Sequence, residues 1–312
     1  MNKRKRRCLL VKYLGMMRTI KVLSLFDGIS CGQIALNKAG ISYGKYYASE
    51  IDKHAIKVTQ HNFSNTVQLG SINEIKGSDL PKIDLLIGGS PCQSFSNAGL
   101  RNGFDGKSGL FWEFVRILKE TKPTYFLLEN VIMKQEWQDI ISEALGVKPI
   151  KINSSLVSAQ NRERLYWANF PIEQPDDKGI KLINILENTE MINPSAIRGR
   201  RLSQVITLDK SLKDKEIPIT QCLEVRAKNQ DKSNCLTTVA KDNVLTTMPI
   251  GRYPNAFKNN LPFRYYTTKE YCRLQTVPEN YFDGVASENQ IKKMIGNGWN
   301  VDTIAHIFKG IK

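Results

Sequence analysis

The sequence predicts an α/β protein, a doubly wound parallel sheet with a second, smaller domain, and three observations carry that prediction. Short apolar runs of strand length alternate with amphipathic helical stretches through the first half of the chain. Several of those runs end in glycine, serine or an acidic residue, as strands do at the edge where an open sheet gathers its ligands. From about Asp176 to Leu261 the alternation stops and the composition shifts towards Lys, Asn, Thr and Pro, which marks an inserted domain.

In order along the chain, Ile20-Lys21-Val22-Leu23-Ser24-Leu25-Phe26 reads as the first strand and Cys31 to Ala39 as the first helix. Tyr46 to Ser49 and Val67 to Leu69 are short strand candidates, with a helix from Lys53 to His61 between them. Ile83 to Ile87 is an apolar block closed by Gly88-Gly89, the pattern of a strand covered on both faces. An amphipathic helix follows from Leu110 to Lys119, a strand from Thr124 to Leu128, and a helix from Trp137 to Leu145. Leu165-Tyr166-Trp167 opens one more strand. After the irregular region, regular patterning returns at Thr267 to Gln275, Glu288 to Met294 and Val301 to Phe308.

Lys and Arg number 45 against 30 Asp and Glu, a net charge of +15 over 312 residues. That balance favours a polyanionic partner such as nucleic acid. The cysteines are scattered without a Cys-x-x-Cys pair and the histidines form no cluster, so neither a metal site nor a disulfide framework is expected. Lys3-Arg4-Lys5-Arg6-Arg7 before Cys8-Leu9-Leu10-Val11 has the outline of a signal peptide, but Lys12 breaks the apolar run and no small-residue cleavage site follows. Residues 1–16 read instead as a basic tail, with Met16 and Met17 as alternative starts. No stretch is long and apolar enough for a membrane helix, and a cytoplasmic monomer is expected.

The chemistry-bearing residues gather at strand ends. Gly88-Gly89-Ser90-Pro91-Cys92-Gln93-Ser94-Phe95-Ser96 sets one cysteine just past a buried strand, with Pro91 fixing the backbone before it. Taken alone, Cys92 is as readily a small buried hydrophobe as a nucleophile. The Thr124 strand runs into Glu129-Asn130-Val131, and Gln160-Asn161-Arg162-Glu163-Arg164 leads into the Leu165 strand. A strand-end thiol, a strand-end carboxyl and paired arginines suggest a nucleophile, an acid and a cationic clamp. In this order the Pro-Cys-Gln, Glu-Asn-Val and Gln-x-Arg-x-Arg elements resemble those of the cytosine-C5 DNA methyltransferases, from about Lys21 to the C-terminus.

The resemblance implies a Rossmann-like methyltransferase sheet with a smaller target-recognition domain, using S-adenosyl-L-methionine on double-stranded DNA. It implies methyl transfer to carbon 5 of a flipped-out cytosine through an adduct with Cys92, assisted by the acid Glu129 and the base-orienting Arg162 and Arg164. Asn130 would shape the loop behind Glu129 or brace Pro91. The implied layout is a tail at 1–16, a catalytic and cofactor-binding domain at 17–175, target recognition at 176–263, and a segment at 264–312 returning to the catalytic domain.

The cofactor would be held by Phe26 against the adenine, by the loop Asp27, Gly28, Ile29, Ser30, Cys31 and Gly32, and by Glu50, Ile51 and Asp52 around the ribose. Ser71, Ile72, Ser90, Pro91 and Leu110 would complete its site with Asn297, Trp299 and Val301 of the last motif. Two positions depart from the common family pattern. Ser30 replaces a glycine, in a loop resembling that of the animal de novo enzymes, and Ser71 replaces an aspartate with a neutral, weaker partner for the adenine amino group.

DNA contacts would come from Gln93 and Ser96 on a glycine-rich loop, and from Arg198, Arg200, Arg201, Arg226 and Lys228 in the recognition segment, which also carries Lys232 and Lys241. A cognate restriction endonuclease is a possible partner under the same resemblance. Two alternatives are an RNA cytosine-C5 methyltransferase, whose extra Cys-Phe-Thr element this chain lacks, and a non-catalytic DNA-binding relative, which should have lost Cys92 or Glu129.

Overall fold

The computed structural model describes residues 19–91, 109–201, 218–225 and 231–312. Cys92, Gln93, Ser96, Arg226, Lys228 and the basic tail therefore lie outside the described residues. Seven strands form the larger sheet: β1 (Ile20–Leu25), β2 (Tyr43–Ser49), β3 (Val67–Gln68), β4 (Leu85–Gly89), β5 (Tyr125–Val131), β6 (Ile150–Asn153) and β7 (Glu163–Ala168). Their order is β3-β2-β1-β4-β5-β7-β6. The β2–β3, β1–β2, β1–β4 and β4–β5 pairs are parallel, so the winding reverses between β1 and β4. A reversal of this kind is where doubly wound sheets open a crevice for a ligand.

The register explains which residues meet there. Leu25 lies opposite Ser49 on one side and Gly88 on the other, and Gly89 lies opposite Glu129. The carboxyl ends of β2, β1, β4 and β5 thus share one edge of the sheet. Among the described residues, four helices accompany these strands: α1 (Cys31–Lys38), α2 (Lys53–Asn62), α3 (Leu110–Thr121) and α4 (Gln135–Leu145). Helix α3 buries Phe111, Phe114, Val115 and Ile117, a helical spacing that gives it one apolar face. That face joins Leu23, Leu25, Leu86, Leu128 and Trp167 in one hydrophobic cluster. Burial of the strands on both faces is why they are continuous apolar runs in the sequence.

The chain divides into two compact units. The first falls within Met1–Ile150, Leu165–Ile172 and Ile307–Lys312, and the second within Lys151–Arg164 and Glu173–His306. In the second unit, β8 (Asn193–Arg201), β9 (Ile219–Val225), β10 (Val244–Thr246), β11 (Gly251–Tyr253) and β12 (Phe263–Tyr265) form a sheet in the order β11-β9-β8-β10-β12. All four pairs are antiparallel. Ile197, Leu223, Val225, Val244 and Ala256 form its core.

The stretch from Asp176 to Leu261, irregular in its sequence pattern and read as an inserted domain, holds β8 to β11 of this sheet. Its strands are short or interrupted by charge, and the charges are answered internally: Arg200 pairs with the buried Glu224 on the neighbouring strand. Such a pair hides the apolar alternation that marks a strand. The chain closes with α5 (Thr268–Gln275), α6 (Glu288–Asn297) and α7 (Val301–Phe308). Thr267 and Glu270 make a reciprocal capping box at the start of α5, which is why that helix was legible.

Candidate catalytic and cofactor-binding site

Between β1 and α1 the backbone passes three times through the left-handed region, at Phe26 (φ 58°), Gly28 (φ 57°) and Ser30 (φ 59°). Glycine is favoured there, and the two other residues are held by local bonds. The Asp27 amide donates to the Ser49 carbonyl at 3.0 Å, and the Ser30 amide to the Asp27 carbonyl at 3.0 Å. The Ser30 hydroxyl accepts from Gln33 Nε2 at 2.8 Å. Serine at the position of the usual glycine thus keeps the left-handed conformation. A side-chain carbon added at Gly32 would lie 2.6 Å from Ile87 Cδ1 and 2.7 Å from the Tyr46 hydroxyl, so α1 needs glycine to approach the sheet. The same carbon at Gly28 would meet nothing within 4 Å, which leaves open space beside the loop.

Glu50, just past the end of β2, faces that loop. Its Oε2 accepts from the Gly28 amide at 2.7 Å, and its Oε1 accepts from the Ile51 and Asp52 amides, both at 2.8 Å. These three donors leave room on the carboxylate, which has roughly four lone-pair positions, for one more donor such as a sugar hydroxyl. Ile51 beside it is 78% exposed, an apolar surface available to a planar base. Asp52 caps α2 by accepting from the His54 amide at 2.9 Å. The open space, the free acceptor position and the bare apolar side chain together fit the nucleoside part of S-adenosylmethionine. Ser71 spends one acceptor position on the Asn73 amide at 3.4 Å, and Ile72 packs into the core. Phe26 and Leu110 are partly buried against the main hydrophobic cluster.

Asp27 has a buried carboxyl oxygen and accepts from the Tyr46 hydroxyl at 2.8 Å. Burial pushes its carboxyl up from 3.8 to about 6; the Ser24, Ser30 and Tyr46 hydroxyls oppose the rise and the nearby Glu50 charge adds to it. A carboxyl raised in the folded state binds its proton more tightly there than in the unfolded chain. It costs nothing below the unfolded value and its full penalty above the folded one. Stability is therefore lost as pH rises from about 4 to about 7, by roughly 3 kcal/mol for this group. Asp27→Asn removes that loss. Unfolding measured across this pH range should show the variant gaining on the parent as pH rises, and parallel curves would rule out the buried carboxyl as a source of strain.

At the next strand ends, Glu129 is 9% exposed and pairs in register with Gly89. Asn130 is buried, and its Nδ2 donates to the Ser90 hydroxyl at 2.9 Å while its Oδ1 accepts from the Val131 amide at 2.8 Å. The end of β5 is thereby tied to the residue before Pro91, where the chain leads into Cys92.

In the second unit, Arg162 is 4% exposed. Its guanidinium donates to Cys235 Sγ and the Leu236 carbonyl, each at 3.3 Å, and to the Gly298 carbonyl at 2.9 Å. Arg164 donates to the same sulfur at 3.7 Å and to the Glu163 carbonyl at 2.8 Å. Gln160 is fully buried; it accepts from the Leu236 amide at 2.9 Å and donates to Gln275 Oε1 at 2.9 Å. The Gln-x-Arg-x-Arg element is thus a hub joining residues 235–236, the end of α5 and residue 298. Cys235 was not among the sequence-level candidates, because nothing in its local sequence marks it.

Within the last motif, Asn297 is exposed at the end of α6, Trp299 is half-buried and Val301 is completely buried. Asn300 makes the interior bonds, donating to the Leu274 carbonyl and accepting from the Thr303 amide, both at 3.1 Å.

Among the basic residues, Arg198 lies 3.6 Å from Asp242, Arg200 is committed to Glu224, and Arg201 is half-buried. Lys241 donates to Gln221 at 3.5 Å. Lys232, read as part of the basic recognition surface, is corrected: its buried ammonium donates to the carbonyls of Ser155, Ser158 and Ile180 at 2.7, 3.1 and 2.5 Å. Among the described residues no cluster of His, Cys, Asp or Glu can hold a metal ion, and no helix is long and apolar enough to cross a membrane.

Comparison with known proteins shows the family. The family model described as C-5 cytosine-specific DNA methylase matches residues 20–312. The chain is similar to the type II methyltransferase M1.ScrFI of Lactococcus lactis subsp. cremoris, with 32% identity over 303 residues, 91% of this chain and 76% of that protein. It is also similar to the orphan methyltransferase M.SPRI of Bacillus phage SPR, with 40% identity over 164 residues. That match takes in 48% of this chain and 37% of the phage protein, and a second phage relative, M.Rho11sI, is matched over 33% of its length. Among solved structures, the Entamoeba histolytica methyltransferase EhMeth superposes with a TM-score of 0.68 at 18% identity, covering 95% of this chain and 99% of that one. A Spodoptera frugiperda DNMT2 mutant gives 0.65 at 21% identity, covering 93% and 99%. These likenesses show the mixed α/β fold with its large, mainly parallel sheet.

Proposed function

The chain belongs to the C-5 cytosine-specific DNA methylase family, and on that premise we propose that it methylates carbon 5 of cytosine within a specific double-stranded DNA sequence. Methyltransferases of this family use S-adenosylmethionine, which supplies an electrophilic methyl group on a positively charged sulfur. The observation that best supports the reading is the shared sheet edge. The register brings the β1 loop, Glu50 and Glu129 to one side, and Asn130 ties that side to the chain entering Pro91-Cys92.

In this proposal Glu50 and the Asp27 to Gly32 backbone hold the nucleoside, with Phe26 and Ile51 on its base. Cytosine carbon 5 is too weak a nucleophile unaided, so the Cys92 thiolate adds to carbon 6 and its electron pair becomes the new C–S bond. The displaced ring electrons make carbon 5 nucleophilic as Glu129 gives a proton to ring nitrogen 3. Arg162 and Arg164 orient the ring and offset charge developing on it. Once carbon 5 carries the methyl group, solvent takes the proton left on carbon 5 and that C–H pair re-forms the carbon 5–carbon 6 double bond. The Cys92 thiolate leaves with the C–S pair, and nitrogen 3 returns its proton to Glu129.

The target atom is inaccessible in a stacked duplex, so the base turns out of the helix, with Gln93 and Ser96 near the gap. Residues 176–263 serve as the recognition domain in this account. Arg198, Arg201, Arg226 and Lys228 are its candidate DNA contacts, whereas Arg200 and Lys232 serve the fold. The type II name of the Lactococcus relative extends the proposal to a cognate restriction endonuclease. We further propose that the protein acts as a cytoplasmic monomer. Cytosine-conversion sequencing of DNA from cells expressing the chain tests the whole reading. Protection of cytosine at one recurring sequence is the expected result, and unprotected DNA in cells containing the folded protein contradicts it.

A further inference from the structure

The environment of Arg162 raises a question that the family resemblance leaves unanswered. A guanidinium with 4% exposure needs a compensating anion or a full set of acceptors. Among the described residues, Arg162 pairs with no carboxylate, and its side chain bonds two carbonyls and one sulfur. Cys235 is the one acceptor of the three able to carry negative charge. Its Sγ receives Arg162 Nη1 at 3.3 Å and Arg164 Nη2 at 3.7 Å, so one atom joins both guanidiniums. Residues two apart on an extended chain point to the same face, where two cations repel each other unless something between them answers the charge.

We propose that Cys235 is a positioning residue for methyl transfer, its sulfur clasping the guanidiniums of Arg162 and Arg164 so that they are fixed for the cytosine ring. The inference rests on the proposed role of the arginine pair. Among the described residues, the charged groups that face the sulfur are Arg162 and Arg164. Burial pushes the Cys235 thiol up, and these two cations with their hydrogen bonds outweigh it, leaving the thiol below its ordinary range. The thiol proton is therefore held less tightly than in an ordinary cysteine, and Sγ also lies 3.5 Å from the Leu236 carbonyl, to which the protonated form donates. Cys235 forms no bond to the base in this account and takes no part in electron transfer. It acts by giving both guanidiniums one common acceptor and by limiting the angles open to both side chains.

The test uses the full-length protein and a duplex carrying its methylated sequence. Cys235→Ala should lower kcat by about 10- to 100-fold, the scale of a misplaced catalytic group, while cofactor affinity measured by calorimetry stays within about twofold. Cys235→Ser, which keeps an acceptor on a shorter bond to Cβ, should fall between the parent and Cys235→Ala. A second measurement does not depend on mutating Cys235. In a Cys92→Ser background, alkylation of Cys235 by iodoacetamide is followed by peptide mapping across a pH series. Its midpoint should lie below that of free cysteine and should rise in Arg164→Ala. A normal kcat in Cys235→Ala beside a slow Arg164→Ala overturns the positioning role alone. Normal rates in both variants overturn the arginine assignment and this inference with it. An alkylation midpoint that Arg164→Ala leaves unchanged shows that the sulfur and the cation do not communicate, and also overturns the inference.

Discussion

Cys92→Ala abolishes methyl transfer, with kcat falling by about six orders of magnitude, the loss typical when an enzyme's covalent nucleophile is removed. The expectation follows from the weakness of carbon 5 as a nucleophile, because no later step compensates for a missing addition at carbon 6. It also follows from the placement of the other cysteines among the described residues. Cys31, Cys222 and Cys272 are buried, and Cys235 is engaged by two arginines. Burial pushes the Cys222 thiol up and the Cys272 thiol to about 12, so neither is a ready thiolate. Transfer of labelled methyl groups to DNA measures the effect, and calorimetry should show cofactor binding essentially retained, since Glu50 and the β1 loop are unaltered. Turnover near the parental rate would remove Cys92 from the mechanism.

Glu129→Gln retains DNA binding and slows methylation by about 10²- to 10⁴-fold, the usual contribution of a positioned proton donor. The substitution is close to isosteric at a buried position whose backbone is fixed by β4 pairing and whose neighbour Asn130 is tied to Ser90. The amide can still hydrogen-bond to the ring, but it cannot deliver a proton to nitrogen 3. Single-turnover rates measured with saturating cofactor isolate this step, and an unchanged rate would assign the acid elsewhere.

The parts of the molecule that the sequence made legible share a physical cause. β1 and β4 are buried on both faces, so each appears as a plain apolar run, and α3 shows its buried face as Phe111, Phe114, Val115 and Ile117. Their spans fall within a few residues of the sequence reading. The positions of Glu50 and Glu129 were legible because a charged group that closes a buried apolar run stands at the sheet edge. The sheet of the second unit was hidden because β8 and β9 carry polar and charged residues satisfied within the sheet, as Arg200 is by Glu224. Lys232 looked like part of a basic surface because a sequence cannot show that three carbonyls converge on one ammonium. Cys235 was invisible for a related reason: its partners are about seventy residues away, and only the folded unit brings sulfur and guanidinium together. Ser30 is the reverse case, a departure in sequence that leaves the backbone conformation of the loop in place.

Covalent catalysis by Cys92 can be trapped with a fluorinated substrate. A duplex carrying 5-fluorocytosine at the target position permits thiolate addition and methyl transfer, but fluorine cannot leave carbon 5 as a proton, so release is blocked. Incubation with S-adenosylmethionine should therefore trap the protein on DNA as a species that survives a denaturing gel. Peptide mapping should place the link in the Ser90 to Arg101 region, and the adduct should be absent without the cofactor and absent in Cys92→Ala. An active enzyme that forms no adduct, or one whose adduct maps to Cys31, Cys222, Cys235 or Cys272, would contradict the account.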